Sequence, residues 1–324
     1  MIRPGIYKSE QLTKECLDDP RLSLRRVSIL LYEEIAGSER EDRDRLLEHI
    51  LLRFQASSGV YKRTYSQRMI DFDSKVVELI RSEFSGSGAC DIYDLGVSDG
   101  RTSFELYQAL SRVAGLQFNF LATDYCPYLT AVSKPGGRLA LILDKEERLL
   151  QMVFPPFVFN VPERESIRYH PVNCLVRGVL LATAAPALVA RYKRRDSNLV
   201  EKPITLVHPD CRALVKTARN FHFEQYDLLR PMPSQYHVIR AMNVMQEGYF
   251  SAEQLRRGIR NVFDGLFEGG LFVTGRNEER VSPVDGSVFR KKNDGFQEVF
   301  ATGAGAPVRD VVMLQGWRRD DVRV

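Results

Sequence analysis

The stretch Asp-Leu-Gly-Val-Ser-Asp-Gly at residues 94–100 decides the fold prediction. It follows a short apolar segment, residues 91–93, and precedes residues 101–110, whose pattern predicts a helix. A strand, a tight glycine turn and a helix form the opening unit of a nucleotide-type binding sheet. Gly96 and Gly100 are expected to let the backbone pass close to a ligand, where a Cβ would collide. Ser98 stands where a dinucleotide fingerprint has its second glycine, which argues against NAD or FAD.

Acidic residues end two further predicted strands. Residues 116–124 read as a strand that ends in Asp124, whose carboxylate can accept hydrogen bonds from both hydroxyls of a ribose. The alternative is that Asp124 caps the next helix. Tyr125 follows directly and is placed to lie against an adenine face. Asp227 lies in the turn after another predicted strand, which begins at residue 221.

The second half of the chain continues the alternation of strands and helices. The apolar pattern of residues 236–244 predicts a buried strand that reaches Asn243. Ser251 is the expected N-cap of an amphipathic helix that runs to residue 266. A Gly-Gly turn and a fifth strand follow at 268–275. Residues 281–292 and 295–299 are predicted as two strands around Asn293-Asp294, and residues 308–314 as another strand.

These elements and their order resemble the class I S-adenosylmethionine-dependent methyltransferases. The run of strand, asparagine, Tyr-Phe, helix, Gly-Gly and strand is closest to the chemotaxis-receptor methyltransferase group. The resemblance covers residues 92–124 and 222–275. It implies an α/β fold with a Rossmann-like, seven-stranded, mostly parallel sheet and helices on both faces, and it implies S-adenosyl-L-methionine as the cofactor. The residues that it assigns to cofactor binding are Asp94, Gly96, Ser98, Gly100, Asp124, Tyr125 and Asp227, the last either accepting from the adenine amino group or serving as an ordinary turn aspartate.

The predicted activity is methyl transfer to an oxygen or nitrogen atom, a carboxylate included, on a small molecule, a glycan precursor or a protein. Such a site must align the reactants and exclude water, and a carboxylate acceptor needs no base. Asn243 and Arg240 lie where the family's reacting groups gather: Asn243 would hold the acceptor by its amide, and Arg240 would pair with a carboxylate or phosphate. Either residue can instead be structural, and His222 and His237 are better explained as core residues than as bases.

Two other functions stay open. One is a catalytically inactive cofactor-binding or scaffold module of the same fold. The other is a chemotaxis-type protein glutamate methyltransferase, against which stands the mixed charge of the segment 22–84, where that family has a basic helical domain.

The domain prediction has three parts. Residues 1–88 form a helical extension or lid, with helices at 22–35, 43–54 and 64–84, and residues 89–324 form the methyltransferase domain. A large insertion after the second strand, residues 132–203, is the expected substrate cap. Within it, residues 137–154 predict two strands joined by a charged turn.

The insertion also contains an apolar segment followed by a basic one. Residues 178–190 are thirteen uncharged residues, and Arg191-Tyr-Lys-Arg-Arg195 follows. Thirteen is fewer than the about twenty that a bilayer-spanning helix needs. A buried helix is the plain interpretation. The alternatives are an oligomer contact and membrane-surface contact through residues 178–195, in which an interfacial helix with a basic flank touches anionic lipid.

Composition indicates an ordinary enzyme-sized globular protein. The 324 residues are 44% hydrophobic, and 46 Lys+Arg against 42 Asp+Glu give a net charge of +4, too small an excess to predict nucleic-acid binding. The five cysteines and five histidines show neither paired nor metal-ligand spacing. The amino terminus lacks the apolar run of a signal peptide. The expectation is therefore a cytoplasmic protein without a metal, of unknown oligomeric state and acceptor.

Overall fold

The structure is a computed structural model that describes residues 2–13, 25–56, 61–62, 64–86, 88–163, 166–277, 283–314 and 317. The chain forms two compact units, each built from two segments. Unit 1 contains Met1–Thr64 and Cys126–Pro209, and unit 2 contains Tyr65–Tyr125 and Asp210–Val324. The predicted division into 1–88 and 89–324 differs from this grouping, because the predicted extension is shared between the two units.

The regular elements alternate along the chain. The strands are β1 Ala89–Leu95, β2 Gln117–Asp124, β3 Tyr128–Ser133, β4 Ala140–Leu143, β5 Leu149–Phe154, β6 Phe157–Asn160, β7 Val200–Thr205, β8 Phe221–Gln225, β9 Tyr236–Met242, β10 Leu266–Arg276, β11 Asp285–Lys292 and β12 Gly295–Thr302. The α-helices are α1 Leu31–Ala36, α2 Arg43–Leu52, α3 Ile70–Phe84, α4 Arg101–Ser111, α5 Pro171–Ala182, α6 Ala184–Lys193, α7 Pro209–Thr217, α8 Ala252–Gly265 and α9 Arg309–Val312, and Ser9–Gln11 forms a 3-10 turn.

Unit 2 has the mixed α/β fold with a parallel-rich sheet that the sequence predicts. Its sheet has the strand order β8-β2-β1-β9-β10-β11-β12. The pairings β8-β2, β2-β1, β1-β9 and β9-β10 are parallel, whereas β11 is antiparallel to both of its neighbours. A two-residue loop at Asn293 and Asp294 joins β11 to β12, as expected from the strands predicted on either side of it.

Helices cover both faces of this sheet, and the alternation of side chains along the strands shows it. Ile239 of β9 packs in one cluster with Leu255 and Ile259 of α8. Its neighbour Arg240 points to the other face, where it meets Asp73 of α3. Because successive residues of a strand face opposite sides, α8 and α3 must lie on opposite faces.

The predicted ends of α8 are confirmed. Ser251 Oγ accepts a hydrogen bond from the backbone N–H of Gln254, and the Gln254 side chain accepts from the backbone N–H of Ser251. This reciprocal capping box satisfies two amide groups that a helix start leaves without intrahelical partners. The helix then buries an apolar face of Leu255, Ile259, Val262 and Phe263.

Two predicted elements of unit 2 are corrected. Residues 308–314 do not form a strand: Val312 N–H donates to Val308 O at 2.9 Å, and Arg309–Val312 is a short helix that buries Val312. The helix predicted at 64–84 begins at Ile70, because residues 66–69 form a turn with Gln67 at φ +58°. Residues 281 and 282 of the predicted sixth strand lie outside the described residues.

Unit 1 is built on a five-stranded antiparallel sheet in the order β6-β5-β4-β3-β7. The two strands predicted within residues 137–154 are present as β4 and β5, which pair in an antiparallel register. One side of the sheet carries an apolar cluster in which Leu141, Met152 and Phe159 pack with Leu188 and Tyr192 of α6.

The amino-terminal residues belong to unit 1 because a buried polar network ties them to its sheet. The fully buried side chain of Gln151 accepts from Ile29 N–H at 2.9 Å and donates to Val27 O at 3.0 Å. Asn160 donates to Arg53 O at 2.7 Å. The helix predicted at 22–35 is also shorter than expected: it begins at Leu31, Val27 forms a parallel bridge with Ile6, and residues 22–24 lie outside the described residues.

The apolar segment of the insertion is longer than its uncharged core. The helical run extends over Pro171–Lys193, 23 residues, which by length and composition alone is enough to cross a bilayer. The argument that thirteen residues are too few therefore does not hold for the helix as it forms. Only 22% of its most apolar window is buried within the protein, so the segment is not the fully buried helix that the plain interpretation predicts.

Candidate active site

The candidate site lies where the strand order of unit 2 reverses. After β1 the chain adds β2 and β8 on one side of the sheet, and β9 then pairs with β1 on its other side. In open α/β sheets, ligands bind outside the carboxyl ends of the strands at such a switch point. The turn 96–100 follows β1, Asp124 ends β2, and Asn243 follows β9. The structure thus brings these predicted residues to one edge.

The turn after β1 has a left-handed backbone at three of its five residues. Gly96, Ser98 and Gly100 have φ of +65°, +62° and +82°. A Cβ at Gly96 would lie 2.7 Å from Val244 Cγ2, and one at Gly100 would lie 2.9 Å from the ring of Phe223. The two glycines are therefore required by the backbone conformation and by side chains of the protein itself. That the two glycines also let a ligand approach the backbone closely stays a prediction.

Asp124 joins the second strand to this turn. Its Oδ2 accepts a hydrogen bond from the backbone N–H of Ser98 at 2.8 Å, and its side chain is almost fully buried. The next element along the chain is the strand β3, so Asp124 is not the cap of a following helix. The carboxylate lies beside the turn, as a ribose-binding role requires, although that role stays a prediction.

Arg240 lies inside the core of unit 2, and this corrects its predicted role toward the acceptor. Its Nη1 lies 2.9 Å from Asp94 Oδ2, and its Nη2 lies 3.1 Å from both carboxylate oxygens of Asp73. Ser103 Oγ donates to the same oxygen of Asp94 at 2.7 Å. The guanidinium is 1% exposed and held by two acids, so it orders the sheet and its helices instead of pairing with a substrate.

The buried ion cluster of Asp73, Asp94 and Arg240 carries more negative than positive charge, because two carboxylates share one guanidinium. Burial raises the pKa of Asp73 to about 6, although Arg240 acts in the opposite direction. Burial also raises the pKa of Asp94. Burial by itself would lower the pKa of Arg240, but Asp73 and Asp94 outweigh it and the pKa is raised. A cationic ligand group next to this cluster would balance its charge.

Among the buried polar atoms that have no hydrogen-bond partner within the described part of the chain, three lie on predicted site residues at this edge. They are Asp94 Oδ1, Ser98 Oγ and Asn243 Nδ2. Leaving such an atom unsatisfied costs about 1–3 kcal/mol, so each one calls for an explanation. All three belong to the residues that the sequence assigns to the site. A carboxylate oxygen, a hydroxyl and an amide group at this edge thus have unused hydrogen-bonding capacity.

Asn243 combines a strained backbone with that free donor. Its φ is +59°, a region that residues other than glycine rarely adopt. The conformation is held by Asn243 N–H donating to Gly275 O at 2.8 Å and by Asn243 Oδ1 accepting from Asn277 N–H at 2.7 Å. With Oδ1 so engaged, the Nδ2 group has a fixed direction. The predicted role of Asn243, holding an acceptor by its amide, is compatible with this geometry.

Asp227 and Tyr125 are less distinctive. Asp227 Oδ1 accepts from Leu229 N–H at 3.0 Å, and its backbone oxygen accepts from Arg230 N–H at 2.9 Å. These bonds are those of a turn aspartate, which is the alternative considered from the sequence. Tyr125 is half-buried directly after Asp124, and its carbonyl accepts from Gln225 Nε2 at 2.8 Å.

The histidines of unit 2 lie at the other end of its strands. His237 is the second residue of β9, and its Nδ1 accepts a hydrogen bond from Asp91 N–H at 3.0 Å. His222 is the second residue of β8 and is exposed. Both stand near the amino ends of their strands, so neither is placed to act as a base at the carboxyl edge.

Sequence reasoning missed Asp73 and Arg68. Asp73 lies on the buried stripe of α3, spaced by helical steps from Met69, Val76 and Ile80. An acid on an apolar helix stripe predicts a buried cation opposite, and this signal was present in the sequence. Arg68 lies in the turn before α3 and interacts electrostatically with Asp99; burial lowers its pKa and Asp99 opposes that shift.

Comparison with known proteins gives no match by sequence. No protein-family model matches the chain, and no curated protein matches it.

Comparison with solved structures gives similarities to methyltransferases. An amino pentose methyltransferase of calicheamicin biosynthesis from Micromonospora echinaspora, with S-adenosylmethionine bound, is 10% identical and has a TM-score of 0.30, over 69% of this chain and 64% of that one. The N-methyltransferase NodS from Bradyrhizobium japonicum, in complex with S-adenosyl-L-homocysteine, is 12% identical with a TM-score of 0.32, over 76% and 71%. The CMeT domain of the citrinin polyketide synthase is 12% identical with a TM-score of 0.34, over 78% and 43%.

These similarities are remote. The chain spans 64% of the length of the first of these structures and 43% of the third. The chemotaxis-receptor subgroup expected from the motif order is not supported by them. Functional inference for this chain therefore rests on its own strand order and site residues.

Proposed function

We propose that unit 2 binds S-adenosyl-L-methionine and transfers its methyl group to an acceptor, as a class I methyltransferase. The observation that carries this proposal is the set of three buried polar atoms at the switch point of the sheet, on Asp94, Ser98 and Asn243, that have no hydrogen-bond partner among the described residues. An apolar ligand would leave all three atoms unsatisfied, and a purely anionic ligand would leave the Asp94 carboxylate oxygen unsatisfied. A ligand that carries ammonium and hydroxyl donors would satisfy them.

The residues fit this cofactor group by group. The free oxygen of Asp94 suits the ammonium of the amino-acid end, and the excess negative charge of the buried ion cluster favours a nearby sulfonium. Asp124 would accept from the ribose hydroxyls, and Tyr125 would lie against the adenine. Ser98 and Gly100 would line the space between them. Asp227 is the weakest member of the predicted set, because its carboxylate already closes a local turn.

The protein orients the cofactor and the acceptor and takes little part in the making and breaking of bonds. The cofactor supplies a methyl group that its sulfonium has already activated. Asn243 Nδ2 would donate to an oxygen of the acceptor and set its direction of approach. Neither histidine of unit 2 lies at this edge, which favours an acceptor that is already ionised at neutral pH, such as a carboxylate. The expected role of residues 132–203 as a substrate cap stays a prediction.

A second candidate is a module of the same fold that binds the cofactor without performing chemistry. The burial of Arg240 favours it, because only one of the two predicted reacting groups, Asn243, remains at the edge. Incubation with methyl-labelled cofactor and a lysate of the source organism separates the two functions. Labelled product supports the enzyme, and cofactor binding without any labelled product supports the binding module.

Calorimetric titration with S-adenosyl-L-homocysteine tests the site directly. We expect the wild type to bind and Asp124→Asn to bind about ten- to a hundredfold more weakly, since a neutral amide replaces a charge-assisted acceptor. The substitution keeps an oxygen that can accept from Ser98 N–H, so the fold is expected to survive. Asp227→Asn is the matched control and should change the affinity less than about threefold, in line with a turn role.

Two results would count against the proposal. Absence of any heat with the wild type would remove the cofactor assignment. Equal weakening by the variants at positions 124 and 227 would show that the carboxylate beside the glycine turn has no special part in binding.

A further inference from the structure

Unit 1 presents a cluster of exposed apolar side chains on one short segment. We call it the outer helical face and define it as Ile167, Tyr169, Val172, Leu175 and Val179. Their exposed fractions range from 37% at Val172 to 74% at Ile167, and they are five of the thirteen large hydrophobic residues that are exposed in the described part of the chain. Such a concentration on a folded protein marks an interaction surface.

The exposed side of α5 continues along α6. Val172, Leu175 and Val179 are followed at helical spacing by Ala182, Pro186 and Ala190, all exposed. The stripe then ends in Lys193 and Arg194, which are also exposed. Exposed uncharged residues on about three turns of each helix, which meet at the non-helical Thr183, thus lead to a basic end on the surface of unit 1.

The charge of this segment differs from that of the rest of the chain. Residues 166–195 contain six of the 46 Lys+Arg residues and none of the 42 Asp+Glu residues. Arg168 precedes α5, and Arg191, Lys193, Arg194 and Arg195 lie at the end of α6 or directly after it. The net charge of +4 of the whole protein therefore comes from this segment, and the remaining residues are slightly acidic.

The opposite side of the two helices is fixed to the sheet of unit 1. Leu180, Ala185, Leu188 and Tyr192 are buried in one cluster with sheet residues such as Phe159. Arg177 Nη2 donates to Val161 O at 2.8 Å. A passage of Pro171–Lys193 across a bilayer would break these contacts and place Arg177 in the hydrocarbon region. The folded unit can instead meet a membrane only with its outer side.

We propose that unit 1 docks on an anionic lipid bilayer through the outer helical face. Helices α5 and α6 lie in the plane of the interface, with Leu175 and Val179 in the acyl region and Arg168 and Arg194 against lipid phosphates, whereas Arg191, Lys193 and Arg195 also lie near Asp196 and Glu147. A second copy of the chain fits this surface less well, because two segments without a single acid would bring like charges together. Charge complementarity selects the lipid.

Vesicle sedimentation with the full-length protein tests the proposal. We expect the protein to sediment with phosphatidylcholine vesicles that contain phosphatidylglycerol and to stay in solution with phosphatidylcholine alone. Binding should fall at least tenfold in about 1 M salt, where the screening length is about 3 Å. Dissociation by salt also separates docking from insertion, since an inserted helix stays with the lipid.

Two variants locate the surface, each with a control. Leu175→Glu combined with Val179→Glu should abolish vesicle binding, whereas Val215→Glu, at an exposed valine of α7, should not. Arg168→Gln combined with Arg194→Gln should weaken binding to the anionic vesicles about tenfold or more. Arg256→Gln combined with Arg257→Gln removes the same charge from the exposed side of α8 and should leave binding unchanged.

Circular dichroism of each variant shows whether it is folded, and the double arginine variant keeps the test valid if the glutamate variant does not fold. Several results would overturn the proposal: no binding of the wild type to anionic vesicles, equal binding to neutral ones, or equal loss in variants and controls. Binding that resists alkaline carbonate would mean that the helix spans the bilayer. An oligomer that Leu175→Glu dissociates, without vesicle binding by the wild type, would assign the surface to contacts between copies.

Discussion

Two regions of this protein break the usual distribution of polar and apolar groups, and they do so in opposite directions. At the carboxyl edge of the sheet in unit 2, Asp94, Ser98 and Asn243 bury polar atoms that have no hydrogen-bond partner among the residues that the structure describes. On the outer helical face of unit 1, Leu175 and its neighbours expose apolar side chains that none of the described residues of unit 1 covers. A folded protein normally pairs the first kind of group and buries the second.

The contrast indicates what each region is suited to bind. Enclosed oxygens and an amide in a tight turn favour a small ligand with several hydrogen-bonding groups, which can reach each atom separately. A broad apolar stripe with basic ends offers few directional contacts and favours a large surface of opposite charge. Substitutions and pH can test whether the buried polar region depends on its internal ion pairs and whether its unpaired atoms serve a ligand.

The largest effect is expected for Arg240→Met. The substitution keeps much of the volume but leaves Asp73 and Asp94 buried without their cation. The free energy of unfolding should fall by about 3–5 kcal/mol, the usual cost of breaking a buried ion pair from one side. Urea denaturation at neutral pH measures it. Arg290→Met, which removes a more exposed arginine of β11 from its contact with Glu83, is the control and should cost less than about 1 kcal/mol.

A loss below about 1 kcal/mol in Arg240→Met would show that the cluster is not the structural element described here. Arg240 would then be available for the acceptor after all, and the contrast between a structural Arg240 and a ligand-facing Asn243 would disappear.

An intermediate effect is expected from pH, through Asp73. Its pKa is raised from the ordinary value of 3.8 to about 6 in the folded protein. Between these values the folded state binds more protons than the unfolded state, so the free energy of unfolding must decrease as pH rises through this window. The decrease should be on the order of 3 kcal/mol. The quantity to measure is the difference between the wild type and Asp73→Asn in urea denaturation at a series of pH values.

The difference should be flat above pH 7 and should change only in the acidic window. A difference that grows in the opposite direction, with the wild type gaining stability as pH rises, would mean that Arg240 lowers the pKa of Asp73 more than burial raises it. Asp73 would then be firmly ionised across this window, and burial would not dominate its titration.

The smallest effect on stability is expected where a side chain serves a ligand. Ser98→Ala removes a buried hydroxyl that has no partner, so the free energy of unfolding should stay within about 0.5 kcal/mol of the wild type or rise slightly. The affinity for S-adenosyl-L-homocysteine should nevertheless fall by about three- to tenfold, the loss of one hydrogen bond. Thermal unfolding and calorimetric titration of the same sample measure the two quantities.

Leu175→Gln is the parallel case in the other region and should be equally neutral for stability, because its side chain is 68% exposed. Ser98→Ala could instead lower the free energy of unfolding by more than about 1 kcal/mol and leave the affinity for S-adenosyl-L-homocysteine unchanged. The hydroxyl would then have a structural partner, and only Asp94 and Asn243 would keep polar atoms for a ligand.

Local sequence patterns predicted much of unit 2. The apolar run before residue 94, the glycine turn and the helix after it are short-range features, and so is the capping box at Ser251 and Gln254. Asp124 was placed correctly at the end of a strand beside that turn, because parallel strands in such units end at the same edge. The strand predicted at 308–314 failed because an apolar run of that length does not distinguish a strand from a helix.

The ion pairs of the core were not visible in the same way. Arg240 meets Asp94 across 146 positions of the chain and Asp73 across 167. The sequence showed an arginine within an apolar strand and an acid within an apolar helix stripe. That these two side chains form an ion pair could be inferred only once the strand order was known. The assignment of residues 1–64 to unit 1 has the same origin, since Gln151 reaches Ile29 across 122 positions.

By itself, the order of residues determines which segments of this protein become strands, turns and helices, and which carboxylates and amides come to the carboxyl ends of the strands. It also determines the basic, acid-free composition of residues 166–195. The folded arrangement decides which of those groups find a partner. Arg240 forms ion pairs with Asp73 and Asp94, whereas Asn243 Nδ2 has no hydrogen-bond partner among the described residues and Leu175 is exposed to solvent. The physical reason is that secondary structure follows from neighbours along the chain, while the pairing or exposure of a side chain depends on segments more than a hundred residues away.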